Sequence, residues 1–190
     1  MNQTKTIEHL LSYAIIDGAR TGEEIDVLKE SALEWKSLFR DPADRDLEAV
    51  SPHLMRCSGV DRFFETYSDS GWGKSWGIFL TSQASTEQIA RHARKFFRVK
   101  DEDGRQLFFR FYDPRVLRIF LPTCSTVQLI ELFGPVEHFI VEHEDPRNAI
   151  IFSIEKQALR QDVVDLTSEN VDLSSLPKKI QTTQESQLIV

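Results

Sequence analysis

Along most of its length the chain alternates apolar runs too short for helices with segments that carry helix-start signals. No other feature limits the fold as much. Residues 10–16 (LLSYAII) are the first such run, rich in strand formers and stopping at Asp17-Gly18, which predicts a buried strand entering a turn. WKSLF (35–39), HLMRC (53–57) and SWGIFL (75–80) predict three further strands. Between them lie helix signatures. Thr21 with Glu24 three residues later makes a capping box ahead of Ile25, Leu28 and Ala32, so residues 22–33 read as an amphipathic helix. Val60, Phe63, Phe64 and Tyr67 recur at helical spacing until Gly71-Trp72-Gly73 breaks the pattern. Residues 40–52, polar and punctuated by Pro42 and Pro52, predict only a turn or a short helix.

The same alternation continues downstream. Ser85 and Gln88 form a second capping box, opening a helix with Ile89, Ala93, Phe96 and Phe97 on one face and a basic stripe of Arg91, Arg94, Lys95 and Arg98 on the other. Residues 97–100 and 105–112 predict a hairpin about the turn DEDG (101–104), with Leu107, Phe109 and Phe111 on one side of the second arm and Phe108, Arg110 and Tyr112 on the other. Asp113 as N-cap and Pro114 at the first helical position start a helix through Val116, Leu117 and Phe120. Ser125 and Gln128 make a third capping box, before a helix closed by Gly134-Pro135, and residues 136–142 and 149–154 predict a final hairpin. Interleaving of this kind specifies an α/β domain over residues 1–160: a mixed β-sheet with packed helices and two hairpins. Residues 161–190 scatter isolated apolar residues among polar ones and read as a flexible polar tail, ordered if at all by a partner.

Composition narrows the functional classes. A chain of 190 residues buries enough surface to stand on a hydrophobic core, and Cys57 and Cys124 are too few for a disulfide framework or a four-ligand zinc site. Both read as thiols of a reducing cytoplasm. The N-terminus lacks the pattern of a signal peptide, and no run is apolar enough to span a bilayer, so no membrane partner is expected. A net charge of −7 argues against nucleic acid as a partner. The charge is unevenly spread: −5 over residues 1–82, +3 over 83–134 and −5 over 135–190. The basic middle suits an acidic partner or internal pairing with its flanks.

No catalytic constellation emerges. Residues 68–75 end in the Gly-Lys-Ser of a phosphate loop, but Ser68 replaces its first glycine, and a helix leads in where a strand should. His138 and His143 lie five apart on a predicted strand and so face opposite sides, which rejects a shared metal. Cys57 with His53 would pair only on a helix, and no G-x-S-x-G elbow is present. Neither a metal nor a cofactor is expected. The most informative stretch is FFRFYDPRVL (108–117): a strand running into a capped helix, with Arg110 or Arg115 pairing to Asp113. Interleaved arginines and aromatics are also the residue types that anchor protein interfaces.

FFRFYDPRVLRIFLPT (108–123), with YAIIDGA (13–19), WKSLF (35–39), SPHLMR (51–56), WGIFLTS (76–82) and ELFGPV (131–136), resembles the bacterial family catalogued as domain of unknown function 4123. That resemblance implies an adaptor, or chaperone, of the type VI secretion system. Such a protein binds a toxic effector protein in the cytoplasm and helps load it onto the spike protein of the secretion tube. Phe109, Phe111, Asp113 and Pro114 are then motif residues of the fold, and Arg91, Arg94, Lys95, Arg98, Arg110, Tyr112 and Arg115 are the candidates for partner binding. The family implies no catalytic residues. Competing expectations are an immunity protein that neutralises a toxin, and a small enzyme with a site near Gly73–Ser75.

Overall fold

In the computed structural model, which describes residues 11–39, 50–58, 60–100 and 103–168, most strands gather into one sheet. In chain order the elements are β1 (Leu11–Asp17), α1 (Gly18–Thr21), α2 (Glu24–Ser31), β2 (Glu34–Ser37), β3 (Pro52–Arg56), α3 (Asp61–Ser70), β4 (Gly77–Ser82) and α4 (Thr86–Ala93). There follow β5 (Arg98–Lys100), β6 (Gln106–Phe108), α5 (Pro114–Phe120), α6 (Thr126–Phe133), β7 (His138–Glu142), β8 (Asn148–Glu155) and β9 (Ala158–Asp165). The sheet has seven strands in the order β2-β3-β1-β4-β7-β8-β9, and β5 and β6 form a separate hairpin. The α/β class holds. The expected strand at 35–39 is β2, and that at 53–57 is β3.

Both faces of the sheet are covered. Tyr13, Ile15, Leu54, Ile78, Leu80, Phe139, Val141, Ile150 and Phe152 point into one core, closed by Ile89 and Ala93 of α4, Leu117 of α5, and Leu129, Leu132 and Phe133 of α6. Their neighbours Ala14, Ile16, Met55, Phe79, Ile140 and Ile151 point the other way, under Ile25 and Leu28 of α2 and Phe63, Phe64 and Tyr67 of α3. Period-two alternation thus places every second residue in a different core, and the central strands read as unbroken apolar runs because neither face meets water.

Strand pairing is uniformly antiparallel rather than mixed. The reason lies in where the crossovers land. β1 and β2 run parallel and are joined through α1 and α2, but β3 is inserted between them; β3 and β4 run parallel and are joined through α3, but β1 is inserted. These two interlocked split β-α-β units step in opposite directions from antiparallel strands, so crossovers of one hand place α2 and α3 on the same face.

Three local expectations change. Thr21 is not a cap: its hydroxyl donates to the carbonyls of Asp17 (3.0 Å) and Gly18 (3.3 Å) inside a one-turn helix capped by Asp17, and α2 starts at Glu24 without a side-chain cap. The second arm of the small hairpin stops at Phe108 instead of reaching Tyr112. Phe97 stacks on Phe108 and Phe111, both at 5.7 Å, and meets Tyr112 edge-on at 5.9 Å, so packing around one ring overrides strand alternation. Finally, the domain does not end at residue 160. β9 pairs with β8 along eight residues through a two-residue turn in which Lys156 and Gln157 both have positive φ, the backbone of a tight hairpin. The remainder of the expected tail, from residue 169, and residues 40–49 of the expected turn segment lie outside the described residues.

The capping boxes at Ser85/Gln88 and Ser125/Gln128 are present, with both reciprocal bonds made in each. Gly134 ends α6 at φ +49°, and a β-carbon there would come within 2.3 Å of the His92 ring, so this residue both turns the chain and admits the close approach of α4 to α6.

Two histidines are buried without a full set of partners. His53 lies 5.6 Å from the Trp35 ring, and among the described residues neither of its ring nitrogens has a well-aligned hydrogen-bond partner. Burial, reinforced by the Lys29 ammonium, holds it down at about 4. His138 shares a 2.8 Å hydrogen bond with Thr81, and burial, opposed by Asp162, holds it at about 4 as well. Both imidazoles are neutral in the fold but titrate near 6.5 when the chain unfolds, so stability is present above that pH and is lost as pH falls toward 4. Urea midpoints should therefore fall between pH 7 and pH 5, each histidine contributing about 2 kcal/mol to the loss over that range. A His53→Leu variant should show a visibly shallower pH dependence; an unchanged slope would mean that His53 is charged or paired in the native state.

Candidate functional site

The ends of β1 and β7 and the start of β4 meet at one end of the sheet, and the FFRFYDPR segment folds across it. Three carboxylates are buried there: Asp17, Asp113 and Glu142. An isolated buried carboxylate is costly, so each must find donors. Asp17 finds two, and its backbone makes a third tie. Its Oδ1 accepts the Ala19 N–H at 3.0 Å as the α1 cap, its Oδ2 accepts from the Arg110 guanidinium, and its own N–H donates to the Trp76 carbonyl at 2.7 Å. Arg110 comes from 93 residues downstream and also lies 5.9 Å from the Tyr112 ring.

Asp113 is engaged by a single neighbour. Arg115 donates from its backbone N–H and its Nε to Oδ1, both at 3.0 Å, and from Nη2 to Oδ2 at 2.6 Å. Burial pushes the Asp113 carboxyl up, but these bonds outweigh it and hold the group below the usual carboxylate range. Asp113 is thus the expected N-cap of α5, with Pro114 in the first turn. Of the two arginines that could pair with it, Arg115 does; Arg110 belongs to Asp17. No local spacing signals that second pair, because its members meet only once β1 and the loop after β6 are brought together.

Glu142, at the end of β7, holds the turn between α3 and β4. Its Oε2 accepts the Gly73 N–H at 2.7 Å and its Oε1 accepts the Ser75 hydroxyl at 2.8 Å. Trp72 Nε1 donates to the Pro146 carbonyl at 2.6 Å, Arg20 donates to the Lys74 carbonyl at 2.9 Å, and Arg118 donates to the Glu142 carbonyl at 2.5 Å. Gly73 has φ +82°, which explains why glycine is needed there. The donors that resemble a phosphate loop in sequence are therefore turned onto an internal carboxylate. Glu142 was not singled out in the sequence, where it is one acid among several near two histidines.

The remaining candidates separate. Tyr112 is buried, and burial, with the Asp17 charge, pushes its hydroxyl up to about 12, so it supports the site from below rather than presenting a surface. Phe111 is buried beside it, and Phe109 is half-buried, 4.6 Å edge-on to Phe120. Arg91, Lys95 and Arg98 are exposed, as the basic stripe requires. Arg94 leaves that stripe: it is half-buried and donates to the carbonyls of Leu38 and Ser37, each at 3.1 Å. Arg110 and Arg115 keep part of their side chains in solvent, 42% and 51%, while their charged ends serve the buried acids.

Other titratable groups do not converge. His138 and His143 occupy separate places, the latter accepting the Asp145 N–H at 3.0 Å. Burial pushes the Cys57 thiol up, away from reactivity. Among the described residues no group of three or more His, Cys, Asp or Glu side chains is arranged to hold a metal ion, and no helix is long and apolar enough to cross a membrane.

One family model, Domain of unknown function (DUF4123), matches residues 12–130. The matched stretch contains both partners of the Asp17–Arg110 and Asp113–Arg115 pairs and ends before Glu142. No curated protein and no solved structure matches the chain.

Removing Arg110 leaves Asp17 charged in a buried place. Arg110→Ala should cost about 2 kcal/mol, less than a fully buried pair because the arginine is partly exposed. Adding Asp17→Asn, which keeps the cap but removes the charge, should restore about half of that in urea unfolding. Additive losses in the double variant would show that the pair contributes nothing. Separately, because Glu142 occupies the Gly73 and Ser75 donors, millimolar ATP with Mg²⁺ should leave the melting temperature unchanged; a rise of several degrees would establish a nucleotide site.

Proposed function

The chain belongs to the family described as Domain of unknown function (DUF4123), and on that premise we propose that it is a binding module rather than a catalyst: a cytoplasmic adaptor of type VI secretion. In this reading it holds a toxic effector protein and promotes its loading onto the spike protein of the secretion tube. One observation carries it. The polar groups of the FFRFYDPR motif turn inward, each buried acid bound by the chain's own donors, so the motif builds a rigid scaffold instead of aiming ionisable groups at a substrate. Rigid scaffolds lose little conformational entropy on association, which favours protein recognition.

The six-segment resemblance supports the same reading, and so does the basic middle of an otherwise acidic chain. An arginine-bearing and lysine-bearing surface accelerates encounter with acidic partners and selects among them.

Co-expression with the products of the adjacent genes, followed by purification through a tag on this chain, tests the proposal. A stable complex with an effector or a spike protein at micromolar concentration is the expected result; recovery of neither discards it. Deleting the gene separates delivery from neutralisation. Loss of effector secretion fits an adaptor, whereas self-poisoning of the deletion strain would make the protein an immunity factor.

A further inference from the structure

The outer surface of α4, α5 and α6 carries side chains that neither the cores nor the polar network use. α6 is apolar on two sides: Leu129, Leu132 and Phe133 enter the core, while Val127 (73% exposed) and Ile130 (54%) point outward one turn apart. Ile119 of α5 is 74% exposed. A helix that is apolar nearly all round is ordinarily covered on both sides.

A chain of aromatic rings, passing inward through buried Phe111, links α5 to the last turn of α4. Phe120, next to Ile119, meets Phe109 at 4.6 Å; Phe109 meets Phe111 and Phe111 meets Phe96, each at 6.1 Å; and Phe96 meets His92 at 5.1 Å. Phe96, Phe109 and Phe120 are all half-buried, so the seam reaches the surface. His92 Nε2 lies 2.8 Å from the Leu132 carbonyl, which brings the last turn of α4 beside the last turn of α6. Arg91 and Lys95 flank His92 on that turn, and Arg98 follows them. All three are exposed, and none forms an ion pair with another described residue. Glu131 is the exposed acid on α6.

We propose that the outer faces of α5 and α6, with the Arg91-Lys95-Arg98 row, are the docking surface for an acidic amphipathic helix of the partner protein. This rests on the binding-module reading above and adds to it the surface and the chemistry of what lies there. The apolar stripe of such a helix covers Ile119, Val127 and Ile130, and the acids along its border meet the three cations, which form no ion pair with another described residue. A helix suits this surface better than a strand because the face consists of helix ridges and offers no open backbone edge.

The test uses a fluorescein-labelled designed peptide of roughly 18 residues, leucines at helical spacing and glutamates along both borders, titrated against the full chain by anisotropy. A counterpart with lysine at every glutamate serves as control. The acidic peptide should bind about tenfold tighter than the lysine peptide or better, and lose most of that preference at high salt. Ile130→Asp and Ile119→Asp should each weaken it about tenfold with the melting temperature kept, and Arg91→Glu with Lys95→Glu should abolish the preference for the acidic peptide. Equal binding of the two peptides, binding of neither, or affinities unmoved by these substitutions overturns the proposal. So does sedimentation of the wild type as a dimer that Ile130→Asp converts to monomer, since the face would then pair with a second copy. The same substitutions in the co-purification distinguish the two readings: a partner still retained by Ile119→Asp/Ile130→Asp removes this surface and leaves the adaptor standing, whereas no partner with the wild type removes the adaptor.

Discussion

A carboxylate withdrawn from water must be answered by donors, and among the described residues Asp17 meets that demand across the greatest sequence distance. The residue terminates β1, caps α1, bonds the backbone at the entrance to β4, and takes the Arg110 guanidinium. Once Arg110 is held there, the residues after it have little choice. Phe111 and Tyr112 drop into the core against Phe97, and Asp113 arrives where α5 must begin. The position of α5 thus follows from an ion pair whose acid lies 93 residues earlier in the chain.

Two further acids repeat the device at shorter range. Asp113 is closed by Arg115, and Glu142 by the Gly73 and Ser75 donors, so three separate loops are pinned to one end of the sheet. The consequence for function is a division between inside and outside. The buried acids are answered within the scaffold, while apolar and basic side chains on α4, α5 and α6 are exposed. Interfaces are commonly built in this way, from a stiff support carrying an apolar centre with charges at its margin.

Much of this was legible in the sequence where the signal is local. The Ser85/Gln88 and Ser125/Gln128 capping boxes and the Asp113-Pro114 start are short-range hydrogen-bond patterns, and all three helices begin where those residues place them. Thr21 carried the same spelling and failed, because Asp17 four residues earlier offers a stronger cap and Thr21 bonds backward to it. The β8–β9 hairpin was missed for a complementary reason: its turn is Lys156-Gln157, without the glycine or asparagine that usually marks a backbone of positive φ. Arg94 was read as part of a solvated stripe, yet it bends back to two carbonyls at the end of β2.

By itself the sequence determined the class of fold, most of the helix starts and the residue types at the motif, since these depend on spacing within a few residues. Tertiary structure alone decided that every neighbouring strand would be antiparallel, that Arg110 would choose Asp17, and that the Gly-Lys-Ser turn would close on Glu142. Each of those outcomes joins groups tens of residues apart, and the energy that selects them, burial of charge together with packing of aromatic rings, exists only after the chain has brought them into contact.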